Sequence, residues 1–232
     1  MTVDVVILTI VDAQLSVLLV RRAGAPFKDH WALPGGFKRP DETLDQAARR
    51  ELLEETGIAA PAHLAQLQAY GDPGRDERTN VVTIAYLAVI RDLPAPKAGS
   101  DATEAKVFPV HQALAARVRL AFDHKTILRD AVERVGAELE HSGLATAFVG
   151  PTFTLSELRA VYETVWGAPL DPANFRRSLL AVDAQFVEPT GQTAPPGPEG
   201  GRPPELFRST PNWSSGSPVR RSKKRSTDDP SW

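Results

Sequence analysis

Between Gly36 and Ile58 the chain reads GFKRPDETLDQAARRELLEETGI, a run of carboxylates and cations that ends in Arg50, Glu51, Glu54 and Glu55. On a helical wheel at roughly 100° per residue, Glu55 falls near +40° and Glu54 near −60° of Glu51, so the three share one arc. Leu44, Ala47 and Ala48 occupy the same arc one to two turns earlier, whereas Arg49 points the other way. A solvated charged face would place its carboxylates opposite the apolar stripe; here they continue it. Three partly buried like charges repel one another and are costly to desolvate unless a cation compensates. A hard divalent ion with oxygen ligands, Mg²⁺ or Mn²⁺, is the natural partner. Leu53 does not fit a single buried face unless the helix is covered on both sides.

The elements that position this segment are legible around it. Thr43 and Gln46 stand at capping-box spacing and Gly57 is a natural stop, which predicts a helix between them. Upstream, Val3–Ile10 and Leu15–Val20 flank "VDAQ" and predict a hairpin, followed by the turn-rich "DHWALPGGF". "VVTIAYLAVI" (81–90) reads as a strand buried on both faces, "AKVFPV" (105–110) as another, and the stretch from Phe122 has helical periodicity. The expected fold class is α/β, a sandwich of strands and helices. After a connector at 142–151, Thr154 and Glu157 form a second capping box and Gly167 a second stop, then Asp171 and Pro172 open another helix. Strands at 185–190 and 205–210, joined by a Pro/Gly-rich loop, complete a winged helix-turn-helix pattern. Its expected core is Val161, Val165, Phe175, Leu179 and Leu180.

The chain of 232 residues suits one medium domain and one small one, expected at 1–142 and 143–210, with a disordered basic tail at 211–232. With no cysteine, disulfides and thiolate metal sites are excluded, which suits a reducing cytoplasm. No run is long enough to span a bilayer. Charge is unevenly placed: residues 1–150 hold 17 Lys+Arg against 20 Asp+Glu, residues 174–225 hold 9 against 4. An acidic front and a basic back point to different partners.

Gly36, Glu42, Arg50, Glu51, Leu52, Glu54, Glu55, Gly57 and Ile58 match the Nudix box at every fixed position, and the chain resembles that family over roughly residues 1–140. The resemblance implies that Glu51, Glu54 and Glu55 bind Mg²⁺ (or Mn²⁺) bridging a diphosphate, with Arg50 orienting a glutamate. Flanking segments "KDHWALPGGF", "AYGDPGRDERTNVVTIAYLAV" and "LAFDHKTIL" resemble Nudix proteins that handle ADP-ribose, although "RDERTN" departs from the Arg-Gly form associated with active hydrolases. Arg75 and Arg78 are candidates for phosphate or ribose, and Trp31, Tyr70 or Phe122 for adenine, with core packing the competing role of each aromatic. "FTLSELRAVYETVWGAPLDPANFRRSLLA" with "GGRPPELFR" resembles the C-terminal winged helix of Nudix-related regulators of NAD metabolism. That resemblance implies a homodimer on a double-stranded operator, with ADP-ribose as the signal. Asn174, Arg176 and Arg177 in the second helix and Arg202 in the wing are the DNA-contact candidates. Two alternatives stay open: a Mg²⁺-dependent ADP-ribose pyrophosphatase giving AMP and ribose 5-phosphate, and a C-terminal accessory module whose arginines are merely solvated.

Overall fold

The first two strands are cut by Asp12 and Ala13, both at positive φ (49° and 56°), the two-residue turn whose twist matches a hairpin. The computed structural model describes residues 1–59, 61–95, 102–181, 186–196, 202–210 and 218–221. In it β1 (Thr2–Val11) and β2 (Gln14–Arg22) pair antiparallel, and β6 (Thr83–Val89) lies parallel on the other side of β1. Short β3 (Trp31–Ala32) and β7 (Ala102–Pro109) pair with β2; β4 (Gly35–Phe37) pairs with the start of β1; β5 (His63–Tyr70) pairs with β6.

Alternation along the strands decides which helix covers which face. Val3, Val5, Ile7, Ile84, Tyr86 and Ala88 point to α1 (Leu44–Thr56) and bury its Ala47, Ala48 and Leu52. Val6, Leu8, Ala85, Leu87 and Val89 point to α3 (His124–His141), which follows the short α2 (Val110–Leu114). The expected α/β sandwich is therefore formed, and β6 is buried on both faces as its continuous apolar run requires. Strand β5 had no counterpart in the sequence reading; "HLAQLQAY" alternates weakly, and pairing with β6 makes it a strand.

The α3 face does not end at the sheet. Ile127, Leu128, Ala131, Val135 and Leu139 share one hydrophobic cluster with Leu158, Val161, Tyr162 and Trp166 of α4 (Leu155–Trp166). That cluster continues into Phe175 and Leu179 of α5 (Pro172–Leu179) and Phe207 of β9 (Glu205–Ser209), the partner of β8 (Val187–Thr193). The connector is a 3₁₀ turn, Gly143–Phe148, whose Leu144, Ala145 and Phe148 join the same core. Both capping boxes form, at Thr43/Gln46 and Thr154/Glu157, and Gly57 and Gly167 close their helices at φ 73° and 63°. Asp171 caps α5 through Asn174 N–H.

Two expectations need correction. Leu180 does not join the small core: it follows the last turn of α5 and is exposed, while Phe153, Phe186 and Phe207 from outside the helices fill that space. The tail is not disordered throughout, because Val219 is buried in the main cluster and Arg221 N–H donates to Glu140 Oε1 at 2.8 Å, which holds residues 218–221 on α3. The rest of the basic run, Lys223 to Arg225, lies outside the described residues.

Candidate functional site

The capping box and the Gly57 stop set the phase of α1, and that phase puts Arg50 at the centre of its carboxylates. Its guanidinium donates to both oxygens of Glu42 (3.1 and 2.8 Å), to Glu51 Oε1 (2.6 Å), to Glu54 Oε2 (3.5 Å) and to the carbonyl of Phe37 (3.3 Å). The hydrogen bonds from Arg50, with help from the Arg39 N–H, hold Glu42 down to a pKa of about 2. Glu51 behaves in the opposite way: burial pushes its carboxyl up, and Arg50 only partly offsets that. Gly36 allows this packing, since a Cβ there would stand 2.5 Å from Glu51 Oε1.

The common arc of the three glutamates is only partly realised. Glu51 is buried and Glu55 half-buried, but Glu54 lies at the edge, 48% exposed, and also meets Arg39 at 3.6 Å. Leu53 likewise faces outward, because α1 is covered on one side only. Among the described residues no three acidic or imidazole groups are gathered into a ready ligand cage; Arg50 lies between Glu51 and Glu54 instead. The donor set still fits a hard divalent ion in kind. Oxygen ligands are what such an ion takes, and a buried carboxyl pushed up by desolvation is what a cation would relieve.

Behind Gly35 and Gly36 lies a second polar cluster that the sequence reading missed. Asp4 Oδ2 accepts from Thr83 Oγ1 at 2.6 Å and lies 3.8 Å from Arg75; Oδ1 faces His124 Nε2 at 3.7 Å. Leu33 N–H donates to His124 Nδ1 at 2.9 Å, so the proton of this imidazole belongs on Nε2, toward Asp4. Burial pushes His124 below the ordinary histidine range. The available signal was Asp4 itself, a charge inside the apolar run "TVDVVILTI".

The ligand candidates differ in the partners that hold them. Arg75 is almost wholly buried and makes a bidentate pair with Asp123 (2.9 and 2.8 Å), so here it ties a loop to α3 rather than facing outward. Arg78 is exposed and braced by Asp76 through two bonds of 3.0 and 2.8 Å. Trp31 packs edge-on against Phe108 at 4.7 Å, and Phe122 against Phe27 at 4.8 Å with Arg22 over its ring. The two rings are not brought together: they flank one backbone ladder (Ala121 N–H to Trp31 O, 2.8 Å) but belong to different apolar clusters. Tyr70 is occupied by a hydrogen bond to Asp130 on α3.

In the C-terminal half Asn174, Arg176 and Arg177 all lie exposed on α5, opposite buried Phe175 and Leu179. Arg177 is held by Asn174 Oδ1 at 3.1 Å, and Arg176 meets Glu205 of the wing at 3.8 Å. Arg202 is exposed just before β9. The bonds of Phe153 to Phe207 (2.9 and 2.8 Å) add a short third strand to the hairpin, the small sheet of a winged helix.

Comparison with known proteins agrees with this geometry. Residues 1–131 match the NUDIX domain and residues 145–209 the NrtR DNA-binding winged helix domain. The chain belongs to the Nudix family. This Nudix protein is 36% identical over 210 residues to the ADPR responsive transcriptional repressor NtrR of Acinetobacter baylyi, covering 90% of the chain and 81% of that protein. Its fold matches Shewanella oneidensis NrtR complexed with a 27mer DNA at a TM-score of 0.77, with 32% identity over 91% of this chain and 94% of the other. The NUDIX domain of the same Shewanella protein, complexed with ADP ribose, matches at a TM-score of 0.53, with 38% identity over 58% of this chain and 86% of that one. No described helix is long and apolar enough to cross a membrane.

Proposed function

We propose that this Nudix protein is a transcriptional repressor that binds double-stranded DNA through its winged helix and responds to ADP-ribose through its Nudix half. The observation that carries the reading is the placement of two sites on the two faces of one sheet: an Arg50-centred carboxylate helix packed on one face, and, joined to the core of the other face, an arginine-bearing second helix whose outer face is free of that core. Residues 1–142 form the sensor and 143–210 the DNA reader. Asn174, Arg176 and Arg177 meet base edges and phosphates, and Arg202 meets a phosphate or the minor groove. Operators with two-fold symmetry call for a homodimer. The regulated genes are those of NAD synthesis or salvage.

In the sensor, Glu51, Glu54 and Glu55 would hold Mg²⁺ or Mn²⁺, and Arg50 keeps Glu42 and Glu51 in place. Such an ion would supply charge neutralisation to the diphosphate and lower the barrier to its attack by water. Arg78 and Phe122 reach the ribose–phosphate and the base. Hydrolysis to AMP and ribose 5-phosphate is the second reading, favoured by the complete box from Gly36 to Ile58.

The test is fluorescence anisotropy of the full chain against duplexes from upstream of NAD-synthesis genes, at fixed salt, with and without ADP-ribose. Tight binding relative to a scrambled duplex, weakened by ADP-ribose, is the expected result. Equal affinity for both duplexes with no effect of ADP-ribose overturns the repressor reading and leaves the hydrolase. Glu55→Gln is expected to abolish Mg²⁺-dependent hydrolysis while DNA binding without ligand persists.

A further inference from the structure

Strand β4 is three residues long, two of them glycine, and among the described residues it pairs with β1 alone. Gly35 and Gly36 bring no side chain to either face of the sheet, so the position of this strand is set by what its backbone rests on. On the α1 face it rests on Glu51, whose Oε1 would stand 2.5 Å from a Cβ on Gly36, and on Arg50, which donates to the carbonyl of Phe37. On the α3 face it rests on Asp4: a Cβ on Gly35 would run into the carbonyl of Val3 and stand 2.5 Å from Asp4 Oδ1.

Asp4 is a costly support. It is 7% exposed, in a strand whose other residues from Val3 to Leu8 are apolar, and burying a carboxylate costs free energy that an apolar residue there would not. Its partners hold it in one place. Thr83 donates to Oδ2 at 2.6 Å, Arg75 lies 3.8 Å from the same oxygen, and His124 Nε2 lies 3.7 Å from Oδ1. His124 in turn accepts from the N–H of Leu33, two residues before Gly35, and Val5 N–H donates to the carbonyl of Pro34 at 2.8 Å. The turn from Leu33 to Phe37 is thus gripped from both faces, by Asp4 and His124 on one and by Arg50 and Glu51 on the other.

We propose that Asp4 is a positioning residue for the divalent ion: held by Thr83 and His124, it sets the level of Gly35 and Gly36, and through that backbone the place of the Glu51 carboxylate on the opposite face. The inference rests on the reading that Glu51, Glu54 and Glu55 bind Mg²⁺ or Mn²⁺. No ligand has to cross the sheet. Adjacent residues of one strand touch the two carboxylates, so a shift on one face is felt on the other.

The experiment reads Mn²⁺ binding to the full chain, from the electron paramagnetic resonance signal of free Mn²⁺, beside the melting temperature and the operator affinity without ligand. Asp4→Ala removes the support and is expected to raise the Mn²⁺ dissociation constant about 10–100-fold, the usual effect of losing a group that orients a metal ligand from behind. Thr83→Val keeps a buried β-branched shape but loses the donor to Asp4, and should raise that constant at least about threefold. Thr83→Ser keeps the hydroxyl and should stay within about twofold of the parent. Operator affinity in both Thr83 variants is expected to match the parent's, because α5 and the wing are untouched. Parental Mn²⁺ affinity in folded Asp4→Ala and Thr83→Val overturns the inference. An equal loss in the valine and serine variants also overturns it, since that marks a packing effect and not a held carboxylate. Where Asp4→Ala does not fold, the Thr83 pair decides. A parent that binds no Mn²⁺ overturns the metal reading itself, a different failure from variants that bind as the parent does.

Discussion

The two halves use arginine in opposite ways. Arg50 and Arg75 are turned inward and saturated, the first by Glu42, Glu51 and Glu54, the second by Asp123 with Asp4 nearby. Arg176, Arg177 and Arg202 stand outward; among the described residues Arg176 meets Glu205 and Arg177 meets Asn174, both from their own half. Inward charge preorganises a site, because each carboxylate is fixed before a ligand arrives; outward charge leaves its donors free for phosphate, where salt controls the strength of binding.

The contrast is broken most strongly by Arg50→Ala. Glu51 would lose its cation while staying buried, and a partly buried pair broken from one side costs more than the roughly 1 kcal/mol of a surface pair. Urea unfolding followed by circular dichroism measures this; a loss below about 1 kcal/mol would place Arg50 among ordinary surface ion pairs. The outward set should behave otherwise. Changing Arg176 and Arg177 together to alanine is expected to weaken operator binding about 10–100-fold and to lower the salt dependence, with folding stability unchanged within about 0.5 kcal/mol. A variant that binds DNA as the parent does would remove α5 as the recognition helix.

Helix ends give a smaller, symmetric test. Thr43→Ala and Thr154→Ala each remove a capping box and should each cost about 1 kcal/mol, read from the denaturation midpoint. The smallest effect concerns His124, which faces Asp4, Asp123, Arg75 and Arg22. Its folded pKa lies below the ordinary value of 6.5 because burial disfavours the charged ring, so its neutral form belongs to the native state. Its contribution is complete above pH 6.5 and declines as pH falls below that value toward the folded pKa. His124→Asn, whose side-chain oxygen can still accept from Leu33 N–H, should flatten the pH dependence of the melting temperature in that window. An identical slope in both proteins would assign the acid sensitivity to other groups.

How much of this was legible differs between the halves for a physical reason. The box spacing, both capping boxes, both glycine stops and the Asp171–Pro172 start were readable because each rests on contacts within about one or two helical turns. The winged-helix order of elements was readable on the same grounds. The reading failed where contacts join distant residues. Leu180 is expected in the small core, but α5 ends at Leu179 and phenylalanines from the linker and hairpin close the space. Glu54 belonged to the arc by angle, yet the edge of the sheet leaves it half in water.

Local chemistry thus determined from sequence alone which helices form, where they stop, and that Glu51, Glu54 and Glu55 share a helix with Arg50. Only the tertiary structure decided that Arg75 faces Asp123, that Asp4 and His124 lock the turn at Leu33, and that Val219 returns to α3. Those pairings span tens of residues, and no local periodicity encodes which buried charge will meet which. Burial settles them, because an arginine or an aspartate taken out of water must find its partner wherever the fold brings one.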